Sequence, residues 1–206
     1  MKKILAVDDE KDILFTLEAV ADVADLNMTT TSRGLKALEY IKNNNFNLLL
    51  VDYHMPDING LKLVKEIRKI DKNIPILVLT VDESMDLAEK FLKAGADDFA
   101  NKPIKTADLI SRINLHLNFN ESSHNTAEKI NELNIPKGMT QRTLAIIYDY
   151  LTEIKKSETI EEISKGTNLA YQTVHRYLNY IADENLVEVK LNYGKVGRPI
   201  HHYKLK

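Results

Sequence analysis

The feature of this sequence that most constrains its fold is a run of apolar residues that ends in an acid. Residues 48–51 read Leu-Leu-Leu-Val and lead directly into Asp52, and Pro56 and Gly60 interrupt the chain soon afterwards. A short apolar run bounded by turn residues is typical of a strand that is covered on both faces, as in a parallel sheet. Such sheets bind ligands at the carboxyl ends of their strands. The run therefore predicts that Asp52 lies at a functional edge.

Four other segments repeat this alternation of strand and helix. Strands are predicted near residues 3–7, 28–31, 75–80 and 98–100, and amphipathic helices with apolar residues three and four positions apart follow the strands. Five alternations of this length predict an α/β fold with a doubly wound, five-stranded parallel sheet.

The composition changes after residue 118. Residues 119–135 are polar and almost free of large apolar side chains, which is typical of a linker. Residues 1–118 carry 16 Lys and Arg against 19 Asp and Glu, whereas residues 136–206 carry 11 against 8. We therefore expect one domain at 1–118, a linker at 119–135 and a second, basic domain at 136–206 that contacts a polyanion.

The whole chain of 206 residues contains no cysteine, which excludes disulfides and thiolate sites. No apolar stretch approaches the length of a transmembrane helix. Asp8 also ends the apolar opening too early for a secretory leader. We expect a cytoplasmic protein with no membrane partner.

Polar side chains stand at the carboxyl ends of four predicted strands: Asp8, Asp9, Asp52, Thr80 and Lys102. Three carboxylates at one edge repel each other unless a cation lies between them, and oxygen ligands favour Mg²⁺. Asp52 emerges alone and is the candidate nucleophile toward phosphorus. Lys102 and the Thr80 hydroxyl could bind the transferred phosphoryl group. This set predicts a phosphoryl-transfer site.

Each of these residues also has a simpler interpretation. Asp8, Asp9 or Asp12 could serve merely as a cap of the first helix. Thr80 could be an ordinary turn residue, and Lys102 a solvated loop charge. Their common position at one edge of one predicted sheet favours the site.

The first 118 residues closely resemble the receiver domain of bacterial two-component response regulators, which implies a flavodoxin-like fold. The matching segments are residues 7–10, Asp52 with Met55-Pro56 and Gly60, Leu79-Thr80, residues 95–99 and Lys102-Pro103. The resemblance implies that Asp52 accepts a phosphoryl group from a sensor histidine kinase. It also implies that Asp8, Asp9, Asp52 and the backbone carbonyl of His54 hold Mg²⁺.

The resemblance further implies a cis Lys102-Pro103 bond and a switch. Phosphorylation adds roughly 1.5 to 2 negative charges at Asp52. Phe99 would then rotate toward the space that Thr80 leaves, which would alter the face built by the fourth helix, the fifth strand and the fifth helix. The altered face would favour a homodimer. A static core role for Phe99 remains an equal alternative.

The second half of the chain predicts a helix-turn-helix. A short helix at 159–164, a turn with Gly166 and a second helix at 171–183 fit that motif. The polar face of the second helix offers side chains able to contact DNA bases or phosphates: Tyr171, Gln172, His175, Arg176 and Asn179. A helical hairpin with no such role is the alternative.

Two predicted strands, at 186–191 and 200–205, complete a winged helix-turn-helix. Lys195 and Arg198 lie at the tip between them, where they could contact phosphates or the minor groove of double-stranded DNA.

The segment from 138 to 206 resembles the citrate and malate type response regulators. The resemblance rests on residues 170–178, 184–187, 193–199 and Tyr203, although Ala170 stands where most members have Ser. It implies control of genes for di- and tricarboxylate transport or metabolism.

The sequence thus predicts a response regulator transcription factor, not an enzyme, that is phosphorylated on Asp52 and binds promoter DNA. Two alternatives remain open. The acidic edge could belong to a Mg²⁺-dependent phosphatase-like enzyme, and the winged helix could bind a protein instead of DNA.

Overall fold

The computed structural model describes residues 2–82, 84–118, 130, 133–192 and 199–206. The chain divides into two compact units, Met1–Phe119 and Asn120–Lys206. Most of the predicted linker lies outside the described residues, and so do Lys195 and Arg198 of the predicted wing tip. None of the described helices is long and apolar enough to cross a membrane.

The first unit contains a parallel sheet. Its strands are β1 (Lys3–Val7), β2 (Asn27–Thr31), β3 (Leu48–Asp52), β4 (Ile76–Thr80) and β5 (Asp98–Asn101), in the order β2-β1-β3-β4-β5. Its helices are α1 (Lys11–Val23), α2 (Gly34–Asn43), α3 (Gly60–Ile70), α4 (Met85–Ala94) and α5 (Thr106–Asn118). This confirms the predicted doubly wound five-stranded sheet.

The apolar runs of the sequence are the central strands. Every residue of β3 and β4 is buried because helices cover both faces of the sheet. One side of the core combines strand residues such as Leu50 and Leu77 with Leu17 of α1 and Ile113 of α5. The apolar stripes of the helices therefore face the sheet, as their spacing predicts.

The register of the strands decides which side chains meet. Val7 is paired with Val51, and Asp52 is paired with Leu79. Asp8 and Thr80, which follow Val7 and Leu79, therefore emerge with Asp52 at the same edge of the sheet. This edge carries the carboxyl ends of β1, β3, β4 and β5.

The second unit contains α6 (Gln141–Ile154), α7 (Ile160–Thr167), α8 (Tyr171–Asp183) and an antiparallel hairpin of β6 (Val187–Asn192) and β7 (Ile200–Leu205). Thr140 caps α6 by accepting a hydrogen bond from the Thr143 amide. Asn168, with φ 57°, ends α7 in the left-handed conformation. The order of elements is compatible with the predicted winged helix-turn-helix.

Tyr150 connects three elements of this second unit. Its hydroxyl donates a hydrogen bond to Oε2 of the buried Glu158 at 2.8 Å. The backbone of Glu158 in turn forms a bridge with Tyr203 of β7. A Cβ atom on Gly166 of α7 would lie 2.1 Å from the Tyr150 hydroxyl, so only glycine permits this approach. Burial and the Glu158 carboxylate raise the pKa of Tyr150 to about 12.

Candidate functional site

Three carboxylates meet at the carboxyl edge of the sheet. Asp8, Asp9 and Asp52, which we call the acidic edge, each place one oxygen within 4.8 Å of the others. Asp8 and Asp52 are buried, whereas Asp9 is exposed. The pairing of β1 with β3 brings them together across more than 40 intervening residues. The predicted convergence of these side chains is therefore present in the structure.

Lys102 enters the acidic edge from the end of β5. Its Nζ atom donates to Asp8 Oδ2 at 2.5 Å and to Asp52 Oδ1 at 2.7 Å, and its side chain is only 7% exposed. Burial alone lowers the pKa of Lys102, but the hydrogen bonds to Asp52 and Asp8 more than offset this and raise it. Lys102 is therefore an ammonium cation between two carboxylates.

The acidic edge retains an excess of negative charge despite Lys102. Burial raises the pKa of Asp8, although Lys102 opposes that shift. Three carboxylates with close oxygens, one of them open to solvent, form a donor set that suits a hard divalent cation with water in its remaining positions. The residues therefore fit a magnesium-type site.

The simpler interpretation of Asp8 and Asp9 as helix caps does not describe the observed contacts. Helix α1 begins at Lys11 after the N-cap residue Glu10, whose side chain makes no capping hydrogen bond. Asp8 Oδ1 instead accepts from the Glu10 amide at 3.1 Å, which fixes the turn. The other oxygen of Asp8 is then directed to Lys102.

The backbone of His54 lies against the candidate nucleophile. Its amide donates to Asp52 Oδ2 at 2.6 Å, so the two carboxylate oxygens of Asp52 have different partners. The metal-binding role predicted for the His54 carbonyl stays a prediction.

Thr80 and Phe99 occupy the neighbouring strands. Both side chains are 2% exposed. The Thr80 hydroxyl accepts from the Asp82 amide at 3.1 Å, and the Thr80 carbonyl accepts from the Lys102 amide at 2.7 Å. The Lys102-Pro103 bond is cis, as the resemblance implies. The buried Phe99 suits a core role in this conformation, and its rotation stays a prediction.

One cluster at the opposite end of the sheet was not anticipated from the sequence. Arg68 of α3 donates to the carbonyls of Ile74 at 2.7 Å and Gly95 at 2.8 Å, and to Asp97 Oδ2 at 2.8 Å. The same Asp97 oxygen accepts from the Ile76 amide at 2.9 Å. Most of these partners are backbone groups, which leave no residue pattern to recognise.

The predicted DNA-contacting face lies on α8. Tyr171, which is 37% exposed, stacks on His175 with ring centroids 6.1 Å apart. Asn179 is exposed one turn further along, 3.5 Å from the His175 ring. Gln172, His175 and Arg176 are only partly exposed, and one guanidinium nitrogen of Arg176 is buried. Tyr171, His175 and Asn179 lie on one stripe of the helix, which is exposed at Tyr171 and Asn179 and partly exposed at His175.

Known proteins are similar in sequence to this chain along most of its length. The response regulator receiver domain family matches residues 4–114. The chain is 28% identical over 193 residues to the probable C4-dicarboxylate response regulator DctR of Priestia megaterium, covering 87% of this chain and 85% of the relative. It is 27% identical over 224 residues to the transcriptional regulatory protein CitT of Halalkalibacterium halodurans, covering 98% and 97%.

A solved structure extends the comparison to three dimensions. The receiver domain of the Francisella response regulator 1452 is 30% identical to this chain, with a TM-score of 0.55. The match covers 57% of this chain and 98% of the Francisella chain. The relatives confirm the resemblance to citrate-type regulators. Because the family match spans more than half of the chain and includes the acidic edge with Lys102, this chain belongs to the response regulator receiver domain family.

Proposed function

We propose that this protein is a transcription factor that a sensor histidine kinase activates by phosphorylating Asp52. The observation that carries the proposal is the environment of Asp52 at the end of β3. One oxygen of its carboxylate accepts a hydrogen bond from Lys102, and the carboxylate lies within the acidic edge. Of the three acids, Asp52 emerges alone from the central strand. Asp8 and Asp9 arrive together from the neighbouring turn and are the candidate metal ligands.

The reaction we propose is a transfer between a phosphohistidine and a carboxylate. An Asp52 oxygen attacks phosphorus, the phosphorus–nitrogen bond breaks, and its electron pair returns to the imidazole of the kinase, which takes a proton from water. Lys102 neutralises a phosphoryl oxygen, and the Thr80 hydroxyl and the His54 amide can donate to the others. Mg²⁺ bound by Asp8, Asp9 and Asp52 would supply further positive charge.

The output we propose is promoter binding by the second unit. Helix α8 would enter the major groove with the stripe of Tyr171, His175 and Asn179 toward the bases. Phosphorylation would favour a homodimer through the receiver face that carries Phe99. Access to both a kinase and promoter DNA implies a cytoplasmic location.

The target genes we propose are those of di- and tricarboxylate transport or metabolism. The support is the naming of DctR as a C4-dicarboxylate regulator, together with alignments that cover most of each relative. Genomic footprinting with and without activation of the kinase would identify the operators. Sites confined to genes of unrelated metabolism would contradict this assignment.

The experiment that tests the phosphorylation is covalent labelling. The full chain is incubated with Mg²⁺ and phosphoramidate, and its intact mass is measured. One phosphoryl group per chain is expected, and it should be lost in Asp52→Asn but retained in Asp71→Asn, which changes an acid in a loop at the other end of the sheet. Multiple turnover of a phosphomonoester without a labelled chain would instead favour the phosphatase-like alternative.

DNA binding is tested by the affinity of two α8 variants for operator and random DNA. Replacement of the exposed Asn179 by Ala should reduce the discrimination between operator and random DNA by about 1–3 kcal/mol while the melting temperature stays unchanged. Arg176→Ala should lower both affinity and stability, because part of its guanidinium is buried. An affinity for DNA that neither variant changes would favour the protein-binding alternative.

A further inference from the structure

Helix α2 begins without a cap of its own. Its N-cap residue is Arg33, whose side chain makes no capping hydrogen bond, and its first turn contains no acidic residue. The first amides of a helix have no partners within the helix and need acceptors from elsewhere. Some other part of the chain must supply these acceptors.

Asp57 supplies them from the loop that follows β3. Its Oδ1 accepts from the Gly34 amide at 3.1 Å, and its Oδ2 accepts from the Leu35 amide at 3.0 Å. Oδ1 also accepts from the Ile58 amide at 2.9 Å. Burial alone raises the pKa of Asp57, but these backbone hydrogen bonds lower it overall. The side chain is therefore a carboxylate at neutral pH, which strengthens each bond.

Two glycines let the same loop fit tightly. A Cβ atom on Gly34 would lie 2.3 Å from Ile58 Cγ2, and one on Gly60 would lie 2.1 Å from the Asp52 carbonyl oxygen. The Gly60 amide also donates to the Tyr53 carbonyl at 2.9 Å. The loop from 53 to 59 is thus attached to β3 and α3 at its ends and to α2 in its middle.

We infer that Asp57 is a positioning residue for phosphoryl transfer, because its hydrogen bonds to α2 hold the loop that presents the His54 amide to Asp52. This inference rests on the proposed phosphorylation of Asp52. The His54 amide is 2.6 Å from Asp52 Oδ2 and lies three residues before Asp57, so a displaced loop moves it. A misplacement of about 1 Å in a reacting site can slow a reaction on the order of 100-fold.

The competing explanation is that Asp57 only stabilises α2, as any helix cap does. The chain offers a way to separate the two roles. Arg33 is exposed and has the extended backbone of an N-cap residue, with φ −133° and ψ 125°, so Arg33→Asp gives α2 its own capping carboxylate. Combined with Asp57→Ala, this change restores the cap of α2 without restoring the hydrogen bonds between α2 and the loop.

Asp71 provides the matched control. Its Oδ1 accepts from the amides of Asn73 at 2.7 Å and Ile74 at 3.0 Å, in the loop between α3 and β4. Asp71→Ala therefore removes a carboxylate with two backbone partners at the edge of the sheet opposite to the acidic edge.

The experiment uses the full chain as wild type, Asp57→Ala, Arg33→Asp/Asp57→Ala and Asp71→Ala. The measurements are the melting temperature, the labelling rate at saturating phosphoramidate with Mg²⁺, and hydrogen exchange of the His54 amide. Asp57→Ala should lower the melting temperature, slow labelling about tenfold or more, and accelerate exchange at His54. The double variant should recover the melting temperature but neither the rate nor the protection. Asp71→Ala should lower only the melting temperature.

Recovery of the labelling rate in the double variant, or a normal rate in Asp57→Ala, would overturn the inference and leave the proposed function intact. A wild-type chain that takes no label would overturn the proposed function, and the inference with it. If Asp57→Ala does not fold, Asp57→Asn, which keeps one acceptor oxygen, takes its place with the same expected order of rates.

Discussion

Lys102 Nζ and Asp52 Oδ1 lie 2.7 Å apart, although 50 positions separate the two residues in the sequence. Their side chains are 7% and 5% exposed, so the pair is almost completely removed from water. A second carboxylate, Asp8, shares the same ammonium group. The stability of this end of the sheet therefore depends on a charge balance that Lys102 maintains.

Lys102→Met should destabilise the first unit by about 3–5 kcal/mol, because it leaves two buried carboxylates without their cation. Mg²⁺ should restore more stability to this variant than to the wild type, since the metal replaces the missing charge. Urea unfolding with and without Mg²⁺ measures both effects. The exposed Lys105→Met serves as control. An equal gain in both proteins would show that the metal does not replace the charge of Lys102, and no gain in either would show that the acidic edge does not bind Mg²⁺.

Gly60→Ala should destabilise the first unit by about 1–3 kcal/mol even though Ala is the better helix former. The new methyl group would lie 2.1 Å from the Asp52 carbonyl oxygen, so β3 or α3 must shift. Thermal unfolding measures the loss, and Lys65→Ala in the exposed face of the same helix should leave stability nearly unchanged. Equal melting temperatures for the two variants would refute the close packing of α3 on β3.

Arg68→Met should cost about 3–5 kcal/mol of unfolding free energy, because it leaves the buried Asp97 carboxylate without its ion-pair partner. The neighbouring Lys69 forms an exposed ion pair with Glu66, and Lys69→Met, which breaks that pair, should cost about 0.2–1 kcal/mol. Urea unfolding of both variants at the same pH makes the comparison. Similar losses would mean that the burial of Arg68 contributes nothing to its role.

Tyr150→Phe should destabilise the second unit by about 1.5–3 kcal/mol at neutral pH, because it removes the hydrogen bond to the Glu158 carboxylate. The pKa of Tyr150 is raised from 10.0 to about 12 in the folded chain. The stability that it contributes is therefore fully present below pH 10 and is lost as the pH rises from 10 through 12.

The test follows the methyl signal of the buried Ile163 by NMR during urea unfolding at several pH values. The wild type should lose part of its advantage over Tyr150→Phe between pH 10 and 12. A difference between the two proteins that stays constant across that range would contradict the raised pKa.

Periodicity predicted the elements well where burial is uniform. The strand predicted at 3–7 and the helix predicted at 171–183 coincide with β1 and α8. A short apolar run covered on both faces indicates a buried strand, and a regular amphipathic stripe indicates a helix. The exact boundaries of elements were less accurate. The second predicted strand began one residue late, and α7 extends to Thr167 because its final turn closes on the left-handed Asn168.

The residues of the acidic edge were predictable because each follows a strand, and parallel strands end at one edge. Asp57 and Arg68 were not predictable, since their main partners are backbone groups of distant elements. A carboxylate that binds the amides of another helix leaves no characteristic spacing in the sequence. Such contacts exist only after α2 and α3 have packed on the sheet.

The sequence by itself determined the class of fold, the set of charged groups at the carboxyl edge of the sheet and the family, because apolar periodicity and residue order act locally along the chain. Tertiary structure decided the charge state of those groups and the shape of the loop behind Asp52. Both depend on burial and on distances between elements far apart in sequence, as between Lys102 and Asp52 or between Asp57 and Gly34.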